Sequence, residues 1–240
     1  MAFWSDLDKA VWMSTKTQHE RIFERLHADI LACRLPPGSK LRISDIAGSS
    51  EVSLGAVREA LSRLGAEGLV IAESQKGYRV APLSVDGLRD LTEARVEIER
   101  IALSRSIARG ELEWETGLVA AWHRLSKIPE PQPKDPQAFR WLAAHGEFHL
   151  ALVAACGSNK LLQIRSQLYE QSERYRCYSG VVARERDVYA EHQAIFDATI
   201  ARDTAAASHA IEAHLRKTAD IIVGSFVGHV EEGVRRKHTF

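Results

Sequence analysis

The sequence lacks any long hydrophobic run. No stretch approaches the roughly 20 apolar residues of a membrane-spanning helix, although 45% of the 240 residues are hydrophobic and 27% are charged, as in globular proteins. The first residues contain acids ahead of any apolar stretch, which is not the pattern of a secretory signal. We therefore expect a cytoplasmic protein that does not enter a membrane.

The sequence also has few cysteines and no net charge. The three cysteines, Cys33, Cys156 and Cys177, are widely spaced and form no CxxC pair. This argues against a disulfide framework and a thiolate zinc site, so we interpret them as buried thiols. The 32 basic residues balance 32 acidic ones, so composition alone does not indicate nucleic-acid binding, and any basic surface has to come from local arrangement.

Residues 1–82 carry the pattern of a winged helix-turn-helix. Apolar residues at helical spacing, a capping residue at Ser53 and two short β-prone runs predict three helices followed by a hairpin. Gly77 supplies the backbone freedom that the hairpin tip needs. The predicted elements, in order, are Gln18–Leu31, Ile43–Ala47, Ser53–Ala66, Leu69–Ala72 and Tyr78–Ala81.

Residues 83–240 show helical periodicity without strand signals. The predicted helices are Val85–Arg109, Glu113–Lys127, Pro136–Cys156, Lys160–Tyr178, Glu185–Arg202 and Thr204–Phe226, with Gly180 among the breakers. The sequence thus predicts a mainly α protein, with an N-terminal winged helix-turn-helix at 1–82 and an all-helical bundle at 83–240.

The helix that follows Ser53 has the composition of a DNA-reading element. Such a helix enters the major groove and needs long polar side chains on one face and apolar residues on the other. Val57 and Leu61 would pack inward, whereas Arg58 is placed to reach a base edge. The predicted DNA contacts are Arg42, Ser53, Arg58, Arg63, Lys76, Gly77 and Arg79. The alternative is that these arginines form surface ion pairs, which are worth about 0–1 kcal/mol.

Four of the ten histidines occupy helical positions that suit a metal site. His145 and His149 lie four residues apart on one predicted helix, which places both rings on one face. His192 and His214 lie on two later helices, and a bundle can gather ligands from several helices. Neutral imidazoles suit Zn²⁺, Cu²⁺, Ni²⁺ or Fe²⁺. The alternative is four ordinary core or surface histidines, because only the first pair is a local signal.

The stretch LPPGSKLRISDIAGSSEVSLGAVREALSRLGAEGLVIAESQKGYRVAPLS resembles the DNA-binding domain of GntR-family transcription regulators. The most specific portion is VREALSRLGAEGL. The resemblance implies a regulator, more commonly a repressor, that contacts DNA through Arg58 and Arg63. Leu54 stands where that family commonly has an arginine, so the operator is expected to differ from those of relatives.

The segments AHGEFHLALVAACGSNKLL, AEHQAIFDATIARD and AAASHAIEAHL resemble the FCD effector domain of FadR-type GntR regulators. The resemblance implies a divalent metal at His145, His149, His192 and His214, with His145 in place of the usual aspartate. The missing carboxylate favours Zn²⁺ or Ni²⁺ over Mn²⁺, or weakens the site. The implied effector is a small organic acid. Its candidate carboxylate partners are Arg95, Arg165, Arg174 and Arg176, because guanidinium groups bind carboxylates bidentately.

Two other functions fit parts of the pattern. A metal-dependent enzyme would need a general base, but Glu147 is offset from the face of His145 and His149 by about 100° per residue. The other possibility is a DNA-binding protein whose C-terminal domain only dimerises. We expect a regulator that is not an enzyme and that acts as a homodimer, because one small recognition helix buries too little surface for tight specific binding.

Overall fold

The structure is a computed structural model that describes residues 17–74, 76–131, 137–179 and 186–237. The N-terminal segment considered for a secretory signal, loop residue Gln75, and the features expected at Pro136, Gly180 and Glu185 lie outside these ranges. The chain divides into two compact units, which separate between Leu83 and Ser84. Among the described helices, none is long and apolar enough to cross a membrane.

The first unit is a winged helix-turn-helix, as predicted. Its elements are α1 (Gln18–Leu31), β1 (Lys40–Leu41), α2 (Ile43–Ser50), α3 (Leu54–Ala66), β2 (Val70–Glu73) and β3 (Gly77–Val80). The strands form an antiparallel sheet in the order β1, β3, β2. Strand β1 was not predicted, because a strand of two residues has no alternation to detect.

Local signals account for where these elements begin. The Thr17 hydroxyl accepts a hydrogen bond from the backbone of Glu20, whose side chain in turn accepts one from the backbone of Thr17, and this capping box starts α1. The side chain of Ser53 accepts a hydrogen bond from the backbone N–H of Ala56 and starts α3, as predicted. Gly77 opens β3 with a φ of +88°, a value that favours glycine.

Apolar faces of α1 and α3 meet in the core of the first unit. The buried residues include Ile22, Leu26 and Ile30 of α1 and Val57, Ala60, Leu61 and Leu64 of α3. This burial fixes the rotation of α3 about its axis. As a result, Arg58 and Ser62 lie on the exposed face of α3.

The second unit is all-helical over its described residues, which confirms the predicted class. Its helices are α4 (Val85–Arg109), α5 (Leu112–Ser126), α6 (Ala138–Val153), α7 (Asn159–Ser179), α8 (Val188–Ile200) and α9 (Thr204–Lys237). Helix α4 packs against α7 and α9, α5 packs against α6, and α8 packs against α9. Helix α9 continues past its predicted end at Phe226, and α6 ends at Val153, before its predicted end at Cys156.

The prediction that all three cysteines are buried is wrong. Cys156 is buried, Cys33 is partly exposed and Cys177 is exposed. Cys177 lies on α7, whose buried side carries Arg174 and Tyr175 at this level of the helix. Helical periodicity therefore places the side chain of Cys177 on the exposed side of α7. The prediction failed because it rested on the usual burial of cysteine and not on the position of this residue on its helix.

Candidate metal centre and DNA-binding surface

The bundle brings the four predicted histidines together. His145 and His149 come from α6, His192 from α8 and His214 from α9, and all four are buried. One ring nitrogen from each lies within 4.8 Å of the others. Nε2 of His149 is 3.1 Å from Nε2 of His145 and 3.2 Å from Nε2 of His192.

The environment keeps these imidazoles neutral. Burial lowers the pKa of His145, His149 and His192 well below 6.5, and neighbouring histidines and arginines lower it further. Burial lowers the pKa of His214 to about 4, although its hydrogen bond to Glu191 opposes the shift. Neutral imidazole is the form that a metal ion requires, because the ligating nitrogen must offer a lone pair.

Two of the spacings between the ring nitrogens are close to those around a tetrahedral divalent metal ion, and all four nitrogens lie within 4.8 Å of one another. Four imidazoles that hold zinc tetrahedrally at about 2.0–2.1 Å place their nitrogens about 3.3–3.4 Å apart. The separations of 3.1 and 3.2 Å around Nε2 of His149 are close to this value. The Nδ1 atom of His149 is buried and has no hydrogen-bond partner among the described residues. The donor set suits a borderline metal such as Zn²⁺ or Ni²⁺.

Contacts on the outer side of the rings orient three of the histidines. Nδ1 of His145 is 3.5 Å from the hydroxyl of Tyr169. The ring of His192 has a hydrogen bond to the backbone of Val188. Nδ1 of His214 is 3.0 Å from Oε2 of Glu191. Such contacts leave Nε2 of each ring directed toward the shared centre.

Buried arginines surround Tyr169 next to the histidines. The guanidinium carbons of Arg95 and Arg165 lie 4.9 and 4.8 Å from the centre of its ring. Nε of Arg165 donates a 2.9 Å hydrogen bond to Glu99, and Nη1 of Arg95 donates a 2.7 Å bond to Ser172. Nε of Arg95 also lies 3.7 Å from Oε1 of Glu99, so the two guanidiniums share one buried carboxylate. Nη2 of Arg165 has no hydrogen-bond partner among the described residues. Positive charge is locally in excess.

A cavity of about 60 Å³ lies beside His145 and His214. Of the four arginines named from the sequence, Arg176 lines this cavity, whereas Arg95, Arg165 and Arg174 do not. Arg186, which sequence reasoning missed, forms another part of its wall. Burial raises the pKa of Glu130, which also lines the cavity, although the arginines oppose the shift.

The exposed face of α3 is the candidate surface for reading DNA. Arg58 and Ser62 are exposed on this face, and Leu54, one turn before Arg58, has 48% of its surface exposed. Ser53 caps the N-terminus of the same helix. Arg63 is also exposed, but its guanidinium carbon lies 4.2 Å from the centre of the Phe23 ring, to one side of this face.

The predicted DNA-binding residues outside α3 differ in exposure and in whether they already bond to other groups of the protein. Lys76 and Gly77 are exposed at the tip of the hairpin, and Arg42 is exposed at the start of α2. Arg79 is partly buried, donating a 3.1 Å hydrogen bond to Glu73 and another to the carbonyl of Gly38. A DNA contact by Arg79 would have to compete with these bonds.

Sequence reasoning missed the residues that surround the histidines. Glu191 and Arg186 contact His214, and Glu99 pairs with Arg165. Glu191 directly precedes His192, the only local sign that could have singled it out. Glu147, the candidate general base of the enzyme alternative, is exposed in part and pairs with Arg124 at 3.1 Å.

Comparisons with known proteins agree with this architecture. Residues 18–80 match "Bacterial regulatory proteins, gntR family", and residues 90–217 match "FCD domain". The HTH-type transcriptional regulator BphR of Paraburkholderia xenovorans is 40% identical over 85% of this chain and 84% of its own length. The HTH-type transcriptional repressor GlaR of Escherichia coli is 39% identical over 85% of this chain and 94% of its own length.

Solved structures share the fold. McbR/YncC of E. coli has a TM-score of 0.70 at 16% identity and covers 88% of this chain and 100% of its own. A GntR-type regulator from Rhodococcus sp. RHA1 has a TM-score of 0.69 at 22% identity and covers 87% of this chain and 99% of its own. At these identities the likeness concerns the fold alone.

Proposed function

Because the chain belongs to the GntR family and carries an FCD domain, we propose that a small organic acid bound in its helical unit controls its affinity for operator DNA. The chain is a DNA-binding transcriptional regulator and not an enzyme. The proposal extends this to the binding site, the class of effector and the direction of control.

The buried histidine cluster is the observation that carries the proposal. His145, His149, His192 and His214 would hold one divalent metal ion, with Zn²⁺ or Ni²⁺ favoured by the all-nitrogen donor set. Four buried imidazoles that are held neutral are a poor apolar core but a suitable ligand set. A bound metal ion would supply a Lewis-acidic centre on which a carboxylate can bind.

The arginines around the cluster favour an anionic effector. Arg176 and Arg186 line the cavity beside His145 and His214, and Arg95 and Arg165 share one carboxylate close by. Guanidinium groups bind carboxylates with two parallel hydrogen bonds. We assign Arg95, Arg165, Arg174 and Arg176 to the effector site, as proposed from the sequence, and add Arg186.

The DNA-binding surface follows from the helix-turn-helix. We propose that α3 enters the major groove with Arg58 at a base edge, while Arg42, Ser53, Arg63, Lys76, Gly77 and Arg79 contact the backbone or adjacent groove. We further propose repression by a homodimer on a palindromic operator. The name of GlaR, a repressor 39% identical to this chain, supports repression. A monomer at micromolar concentration that bound DNA with full affinity would contradict the dimer.

The first experiment measures metal content by mass spectrometry in protein purified without chelator. About one metal ion per subunit is expected in the parent. His149→Ala and His214→Ala should lose the metal and have lower melting temperatures. His209→Ala is the matched control, because His209 is exposed on the same helix as His214. His145→Asp should keep the site, since a carboxylate replaces one ligand with another.

Operator titrations with and without candidate carboxylates complete the test. Coupling between two sites is typically about 1–3 kcal/mol, a change of about 5- to 150-fold in affinity. This response should vanish in His149→Ala and His214→Ala, while DNA binding without effector stays close to that of the parent. Stoichiometric metal or an unchanged response in both variants would leave the histidines as packing residues.

A further inference from the structure

We propose that Glu191 is a positioning residue that holds His214 in the one tautomer able to bind the metal ion. The proposal rests on the metal site proposed above and adds a carboxylate that acts through a histidine rather than on the metal itself. Arg186 and Lys217 keep this carboxylate in place.

The hydrogen bond between Glu191 and His214 decides where the imidazole proton lies. Oε2 of Glu191 is 3.0 Å from Nδ1 of His214. An ionised carboxylate can only accept hydrogen bonds, so Nδ1 has to carry the proton. A neutral imidazole has one proton, and therefore Nε2 keeps its lone pair free for the shared centre.

A second group near the same nitrogen could have favoured the opposite tautomer. Nη2 of Arg186 lies 3.1 Å from Nδ1 of His214 and is a donor. The two protons of Nη2 have other acceptors, however, because it contacts Oε2 of Glu191 and lies 3.1 Å from the carbonyl oxygen of His214. Nη2 has no third proton to donate, so Glu191 determines the tautomer.

Glu191 is itself held ionised and in place from several directions. Nε of Arg186 lies 2.8 and 2.9 Å from its two oxygens, and Nζ of Lys217 lies 2.8 Å from Oε1. Nη1 of Arg186 donates a 2.8 Å hydrogen bond to Thr218, which ties the guanidinium to α9. Burial would raise the pKa of Glu191, but hydrogen bonds from His214, Arg186 and Lys217 hold it well below its usual value.

The charge of Glu191 matters because the four proposed ligands contribute none. A carboxylate hydrogen-bonded to the outer nitrogen of a ligating histidine raises the basicity of that ligand, and loss of such a partner typically costs about 10- to 100-fold in metal affinity. Of the other buried or half-buried carboxylates nearby, Glu99 and Glu173 pair with Arg165 and Arg176, and Glu130 lines the cavity. Of these four carboxylates, Glu191 is the one with a hydrogen bond to a proposed ligand.

The test compares Glu191→Gln with Glu93→Gln by titrating Zn²⁺ against a competing chelator. The amide introduced by Glu191→Gln carries no charge and can either accept from Nδ1 through its oxygen or donate to it through its NH2 group, so the substitution removes both the charge and the preference for one tautomer. Glu93 is the matched control. This exposed residue of α4 pairs with Arg216 of α9, the helix that carries His214, and does not contact the histidines. We expect Zn²⁺ affinity to fall about 10- to 100-fold in Glu191→Gln and to stay within about twofold of the parent in Glu93→Gln, whose ion pair does not reach the site.

A second measurement starts from the parent protein, so that it does not depend on how well a variant folds. Nitrogen NMR of the imidazoles in the metal-free parent should show His214 protonated at Nδ1, and Glu191→Gln should populate both tautomers. Parental Zn²⁺ affinity in Glu191→Gln, or a proton on Nε2 of His214 in the parent, would overturn the role of Glu191 alone. A parent that fails to bind Zn²⁺ would overturn the metal site and this proposal together.

Discussion

Two exposed basic residues of the first unit are suited to different tasks in DNA binding. Arg58 projects from the face of α3 that remains after Val57 and Leu61 are buried, and Lys76 lies at the tip of the hairpin. A guanidinium in the major groove can bind both acceptors of a guanine, whereas an ammonium group on a wing acts as a point charge near phosphate. The two residues should therefore differ in what their removal does.

Arg58→Ala should weaken operator binding by about 1–3 kcal/mol and relax the preference at one base position. Lys76→Ala should weaken binding to all sequences about equally and reduce the dependence of affinity on salt. The measurement is a set of anisotropy titrations on an operator selected from random duplexes, on its single-base variants and at several salt concentrations. If both variants bind like the parent, α3 and the hairpin do not contact DNA in this way.

At the scale of elements, the junction between α4 and α5 is tightly packed. Gly110 is buried there, and its carbonyl accepts a 2.8 Å hydrogen bond from Arg202. A Cβ atom on Gly110 would clash with the ring of Trp114 and would lie 2.7 Å from the carbonyl oxygen of Ser106. The Trp114 ring cannot move freely, because its Nε1 donates a 2.8 Å hydrogen bond to Ala151.

Gly110→Ala should therefore destabilise the helical unit by about 1–3 kcal/mol or more, the usual cost of overpacking. Gly117→Ala is the matched control within α5, because its Cβ would meet nothing within 4 Å. There the substitution should stabilise the protein by about 0.5–1 kcal/mol, since alanine loses less backbone entropy in a helix. Urea unfolding of both variants gives the comparison, and equal effects of the two substitutions would contradict the packing argument.

At the scale of the whole molecule, the buried histidines link stability to pH. The folded chain holds their pKa values below 6.5, and that of His214 at about 4. In the unfolded chain they titrate near 6.5. Below that pH the unfolded state binds more protons than the folded state, so protonation favours unfolding.

The metal-free protein should therefore lose stability as the pH falls from 7 toward about 4. Each histidine that stays neutral in the fold contributes a slope of about 1.4 kcal/mol per pH unit in this range. Urea unfolding of chelator-treated protein at several pH values measures the slope, with His149→Ala as the comparison that removes one such group. A stability that does not change between pH 7 and 5 would show that the histidines are not held neutral.

Local sequence determined most of the secondary structure. The bounds predicted for α1 and α4, Gln18–Leu31 and Val85–Arg109, agree with the structure, because apolar periodicity and breakers are local properties. Histidines four residues apart on one helix also had to share a face, so the pairing of His145 and His149 followed from spacing. The assignment of residues 1–82 and 83–240 to separate functions and the roles of the site residues stay predictions.

Packing between distant segments decided the rest. Whether His192 and His214 would meet the first pair depended on how α8 and α9 pack, and the same packing brought Glu191 and Arg186 onto His214. No periodic signal marks such contacts, because their partners lie tens of residues apart or in loops. The contacts of Arg79 were not predictable from the sequence for the same reason, since its hydrogen bonds to Glu73 and Gly38 exist only once the sheet has formed. The sequence by itself determined which helices form and which residue types they carry, and only the tertiary structure decided which charges and lone pairs face one another.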